Sequence, residues 1–216
     1  QVTLDTSGRM LLGTDIASAL TALEALPVDV IGLNCSTGPE HMPEPDLDRI
    51  RAVRVAAPDS TLIADANEGW TEENLQEHLD ACAEAGFALI EQPLPAANDA
   101  ALRAVRHSVP VCADESVHAR DGLDRLVGLY DAINIKLDKT GGLTEALVLA
   151  DAAEERGLGL MIGCMVGTSL AMAPALILAP RARFVDLDGP LLLARDRGPG
   201  LLYEDSVVFP PRPEPW

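Results

Sequence analysis

The sequence predicts an α/β protein folded as a single-domain (β/α)8 TIM barrel, and three observations predict it. Eight short apolar runs alternate with segments whose apolar residues return at helical spacing. The runs are continuous in Val, Ile and Leu rather than alternating, as parallel strands buried on both faces require. Five of them end in a charged side chain, at nearly regular intervals. A doubly wound open sheet is the competing architecture, but the chain has no G-x-G-x-x-G turn and the charged tips recur through the whole series.

In chain order the strands are expected at Val2–Asp5, Val28–Asn34, Thr61–Asp65, Phe87–Glu91, Val109–Asp114, Ala132–Lys136, Gly159–Gly163 and Phe184–Leu187. Between them, helical spacing appears at Ile16, Leu20 and Leu23, at Leu47, Ile50 and Val53, at Leu75, Leu79 and Cys82, and at Leu143, Leu147 and Ala150. Thr71, followed by Glu72 and Glu73, reads as a helix cap with an acidic first turn. Gly86 and Gly157 stand where helices should stop. Right-handed crossovers joining eight such units close most simply as a barrel, for which 216 residues is short but sufficient. Residues 38–45, Gly-Pro-Glu-His-Met-Pro-Glu-Pro, break any helix, and residues 206–216 are expected as an extended tail.

Composition narrows the function. A net charge of -18 with no dense basic cluster argues against a nucleic-acid partner. No apolar stretch reaches the roughly 18–20 residues of a membrane span, and the first residues lack a signal-peptide pattern, so no membrane association is expected. Cys35, Cys82, Cys112 and Cys164 are scattered, without a C-x-x-C pair, and read as reduced thiols of a cytoplasmic protein.

In a barrel every strand's carboxyl end opens on one face, so Asp65, Glu91 and Asp114, on three successive strands, are expected to converge. Converging carboxylates repel one another unless a cation sits between them, and hard oxygen donors suit Mg2+. Lys136, one strand further on, is placed to take a proton alpha to a carboxylate while the metal stabilises the charge left behind. For any one of these residues a helix cap is the blander reading; for the four together a shared site is the better one.

The segments Asp65-Ala-Asn-Glu-Gly-Trp70, Ile90-Glu-Gln-Pro93, Ala113-Asp-Glu-Ser116, Asn134-Ile-Lys-Leu-Asp-Lys-Thr-Gly-Gly142, Gly163-Cys-Met-Val-Gly-Thr-Ser-Leu-Ala171 and Asp186-Leu-Asp-Gly-Pro190 resemble the barrel of the enolase superfamily. They are most similar to its dipeptide epimerases, in the muconate-lactonizing subgroup. The resemblance covers about residues 45–205. It implies Mg2+ on Asp65, Glu91 and Asp114, Lys136 as an acid/base, and Asp186 and Asp188 holding the free ammonium of a dipeptide substrate. Lys139 resembles a further motif lysine.

Two departures temper that expectation. The family places a second acid/base lysine on strand two, in a K-x-K sequence, and here no lysine precedes Lys136. Residues 1–42 instead resemble the homocysteine-binding barrel of cobalamin-dependent methionine synthase, in which Cys35 would be one of three zinc thiolates. The adjacent Cys pair that should complete that zinc site is absent. The chain thus reads as a chimera joined within residues 38–45, without the superfamily's N-terminal lid domain, and with weak or lost epimerase activity. A non-catalytic designed barrel scaffold is the alternative, and a zinc-dependent homocysteine methyltransferase the remote one.

Overall fold

The computed structural model describes residues 2–4, 30–35, 45–204 and 207–212, with side-chain surroundings given from residue 47 onward. The helix expected at Ile16–Leu23, the proline-dense stretch through Glu44 and the side chain of Cys35 lie outside the described residues. The chain divides into two compact units, residues 1–116 and 117–216.

In the first unit, strands β1 (Val2–Leu4), β2 (Val30–Cys35), β3 (Thr61–Asp65), β4 (Leu89–Glu91) and β5 (Val111–Ala113) pair in sequence order, every pair parallel. In the second, β6 (Ala132–Lys136) pairs with β7 (Gly159–Gly163) and β7 with β8 (Phe184–Val185), again parallel. The continuous apolar runs therefore sit where expected, and two-sided burial explains them: Leu62 and Ile90, and Ile133 and Ile162, are fully buried. Strands β4 and β5 begin two residues later than the sequence indicated, at Leu89 and Val111.

The helices bury the stripes that their spacing predicts. Pro45–Ala56 opens on a proline, whose missing N–H costs nothing in the first turn, and buries Ile50 and Val53. Leu75–Glu84 buries Leu75, His78, Leu79 and Cys82 and packs against it. Leu143–Glu155 covers β6 and β7 with Ala146, Leu149, Ala150 and Ala153. Truncating a residue as enclosed as Leu79 to Ala would cost about 2–5 kcal/mol. Arg54 ties the ends of the first two helices together. Its guanidinium donates to the carbonyls of Ala57, Pro58 and Ser60 on one side and of Ala85 and Gly86 on the other, at 2.6–3.2 Å.

Gly86 and Gly157 end their helices with φ of 69° and 76°, a left-handed turn that a side chain would strain. In each case the glycine N–H and the next N–H return to the last helical turn, at Ala83 and Cys82, and at Glu154 and Ala153. Thr71 behaves differently from expectation. The helix starts four residues later, at Leu75, because Thr71–Asn74 closes its own turn, with Asn74 Oδ1 accepting the Thr71 N–H at 2.8 Å. The first residues of the expected tail are paired. Val207–Val208 (β10) pairs antiparallel with Tyr203–Glu204 (β9), a hairpin too short to leave a periodic signal.

Candidate active site

The loops after β3 and β4 are built as one piece. Residues 66–70 run along residues 91–93, with the N–H groups of Ala66, Glu68 and Trp70 bonded to the carbonyls of Glu91, Gln92 and Pro93 at 2.9–3.0 Å. The fit forces positive φ on three residues that are not glycine: Asn67 at 49°, Glu68 at 61° and Gln92 at 34°. Such conformations cost about 1–2 kcal/mol each outside glycine, and Asn is the least penalised of the three. Strain of this kind, concentrated beside strand tips, is retained where the surroundings over-determine it.

Those tips carry the acids. Asp65 and Glu91 are direct neighbours in the β3–β4 register, and Glu91 stands opposite Cys112, two residues before Asp114. Neighbours in register share a face, and side chains alternate along a strand, so the three carboxylates belong to one side of the sheet. All three are withdrawn from water, at 6%, 2% and 2% exposure, which marks them as a deliberate cost to the fold. Asn67 faces both oxygens of Asp65, its N–H at 2.9 Å and its amide at 3.4 Å. Among the described residues, no three His, Cys, Asp or Glu side chains stand in the close arrangement of a formed metal site.

Gln92 is the residue that the sequence reading passed over. Its Oε1 accepts the N–H of Asp114 at 2.8 Å and of Ser116 at 3.1 Å, while Nε2 donates to the Leu94 carbonyl and the Ser116 hydroxyl, both at 2.8 Å. One fully buried amide thus ties the tip of β4 to that of β5. The only signal in the sequence is a polar residue between a strand-end Glu and a proline.

In the second unit, Lys136 closes β6 opposite Gly163 and is half-buried. Asn134 lies two residues earlier on the same face, and its amide fills the space that a Cβ on Gly163 would enter, at 2.7 Å. Lys139, the further motif lysine, turns back onto the chain, its Nζ donating to the Asn134 carbonyl at 3.2 Å.

Asp186 extends the β7–β8 ladder through its N–H to the Ile162 carbonyl at 2.8 Å. Asp188 precedes the short turn Gly189–Leu192. Burial, and next to it the charge of Asp188, push the Asp186 carboxyl up to about 6, while Lys136 pulls the other way. Lys136 and this acidic pair therefore act on one another across the second unit. Cys164, on the loop after β7, has its thiol pushed up to about 11 by burial, opposed by the Gly189 N–H and reinforced by Asp186 and Asp188. It stays a protonated, unreactive thiol at neutral pH.

The structure thus puts Asp65, Glu91 and Lys136 at the ends of β3, β4 and β6, Asp114 directly after β5, and Asp186 and Asp188 one and three residues after β8. Asp65, Glu91 and Asp114 share a face in the first unit; Lys136, Asp186 and Asp188 interact in the second.

Known proteins resemble this chain. The L-Ala-D/L-Glu epimerase of Escherichia coli K12 is 53% identical over 156 residues, 72% of this chain and 49% of that protein. An N-acetyl-D-glutamate racemase from Pseudoalteromonas sp is 51% identical over 162 residues, 75% of this chain and 51% of that one. A crystal structure of an enolase-family protein from Agrobacterium tumefaciens, with homology to dipeptide epimerases and with bound sodium and L-Ala-L-Glu, superposes with a TM-score of 0.85 at 50% identity. It covers 100% of this chain and 62% of its own. The chain spans about half the length of these two curated relatives. With the enolase C-terminal domain-like model matching residues 17–211 as well, the chain belongs to the enolase C-terminal domain-like family.

Proposed function

We propose that the chain carries the barrel chemistry of a dipeptide epimerase, exchanging the proton on the carbon alpha to a substrate carboxylate. One observation supports this above the rest: the acids in the first unit, and the lysine and the acidic pair in the second, stand at or just beyond the ends of parallel strands in a chain 53% identical to an L-Ala-D/L-Glu epimerase.

Asp65, Glu91 and Asp114 would hold Mg2+. Buried carboxylates on one face are the right donors for a hard cation. When bound, the ion offsets the negative charge that grows on the substrate carboxylate as the proton leaves. Lys136 takes and returns that proton on one face of the carbon. Asp186 and Asp188 hold the substrate ammonium by charge complementarity.

The second face has no lysine, since none precedes Lys136. Proton exchange with solvent should therefore outrun inversion. The test is L-Ala-L-Glu in deuterated buffer with and without Mg2+, followed by NMR. Deuterium should enter at the glutamate alpha carbon only with Mg2+, and Lys136→Ala should slow it by about 10²–10⁴-fold. A lysine restored at Leu33 or Cys35 should add inversion. If neither chain exchanges the proton and neither binds Mg2+ by calorimetry, the alternative of a bare scaffold takes over.

The relative from Pseudoalteromonas favours a second substrate class, the N-acylated amino acids, which lack the ammonium. Competition between L-Ala-L-Glu and N-acetyl-glutamate separates the two. The chimeric reading of residues 1–42 carries less weight. The family match already begins at residue 17, and the Agrobacterium structure covers the whole chain.

A further inference from the structure

Asp186 and Asp188 are two carboxylates on either side of a single residue, and they repel each other whenever no cation lies between them. Something must hold the backbone at Leu187 against that repulsion. The Leu187 side chain is buried, at 4% exposure, and this anchors one side. The other anchor comes from a distant part of the chain: the hydroxyl of Tyr203, on β9, donates to the Leu187 carbonyl at 2.7 Å.

Tyr203 is held in turn. Asp196 accepts the N–H groups of Ser169 at 3.0 Å and Arg197 at 2.7 Å, and takes the Ser169 hydroxyl on its other oxygen. The same Ser169 oxygen accepts the Leu201 N–H at 2.8 Å, so the fully buried hydroxyl is satisfied as donor and acceptor. Gly200 must be glycine for this, because a Cβ there would lie 2.8 Å from the Asp196 carboxylate. Segment 196–203 is therefore pinned to the start of helix Ser169–Ala175 at one end and to the acidic pair at the other.

We infer that Tyr203 is a positioning residue, whose hydroxyl bond to the Leu187 carbonyl sets the spacing of Asp186 and Asp188 and so the fit of a cationic substrate group. This rests on the reading that the pair binds an ammonium. Burial and then the neighbouring Cys164, Asp196 and Asp188 push the Tyr203 phenol up to about 12, so it remains a donor at every pH at which the site works.

Tyr203→Phe tests it, removing one oxygen and keeping the ring. Two measurements are made on wild type and variant. The first is the NMR titration of the Asp186 carboxyl, which needs no substrate. Burial, the larger cause of its raised midpoint, stays in the variant, but the push from Asp188 weakens as the carboxylates relax apart, so the midpoint should fall. The second is the affinity for L-Ala-L-Glu and for propionyl-L-glutamate, which differs by lacking the ammonium. The dipeptide should bind about five- to tenfold more weakly to the variant, and the propionyl compound equally well. Ser169→Ala, which frees segment 196–203 without touching Tyr203, should move both readouts in the same direction by less. An unchanged Asp186 midpoint in Tyr203→Phe overturns the inference, and so does an equal loss for both ligands. Should wild type bind no dipeptide, the ammonium reading fails by itself, and the titration still decides the role of Tyr203.

Discussion

The two units hold their charged strand ends by opposite means. In the first, the carboxylates are almost wholly buried and the loops that carry them brace one another: the Asn67 N–H donates to Asp65 and Gln92 accepts the main-chain N–H of Asp114, on a backbone strained at Asn67, Glu68 and Gln92. In the second, Lys136, Asp186 and Asp188 are only half-buried, and it is the main chain beside them that is fixed, by Tyr203 on Leu187 and Asn134 against Gly163. The contrast fits the two tasks proposed for them. An ion is favoured by ligands already stripped of water. A reacting amine, and acids that must accept and release a substrate, need access and a charge that can change.

The sharpest way to break this comparison is to remove the bracing of the first unit. Gln92→Ala leaves the buried N–H groups of Asp114 and Ser116 without their acceptor and should destabilise the fold by about 2–4 kcal/mol, measured by denaturant unfolding. Hydrogen exchange should rise around Asp114 and Ser116 and not around Asp186. An effect spread over both units would show that the two sets of strand ends are not independently held.

The next effect in size sharpens it. Mg2+ at 100 times its dissociation constant should raise the melting temperature of wild type by roughly 5–10 °C, and Glu91→Gln should cancel the rise. Asp188→Asn should leave it intact, because that acid is assigned to substrate. If both variants cancel it, the division of labour between the units is wrong.

The smallest effect concerns pH. An Asp186 carboxyl raised to about 6 binds more protons in the folded chain than in the unfolded one between roughly pH 4 and 6, so this group favours folding as the pH falls through that window and opposes it above. Asp186→Asn should therefore melt roughly 2–4 °C higher than wild type at pH 7.5 and about equally at pH 4. A lower melting temperature at pH 7.5 would mean that the charged form is stabilised in the fold, contrary to the crowding of the acidic pair.

What the sequence determined alone is whatever depends on neighbours along the chain. Continuous apolar runs specify parallel strands from β1 to β8, helical spacing specifies three of the helices, and Gly86 and Gly157 mark where two of those stop, because each is a local relation among residues a turn or a strand apart. The charged tips were legible for the same reason: a charge at the end of a buried run is conspicuous against it.

The tertiary structure decided the rest. Gln92 reaches residues 22 and 24 positions away, Ser169 is bonded to a carboxylate 27 positions on, and Tyr203 meets a carbonyl 16 positions back. A glutamine, a serine and a tyrosine are ordinary in composition and leave no periodic trace. Their partners are chosen only when separate strands are packed side by side and buried polar groups must find one another or remain unsatisfied.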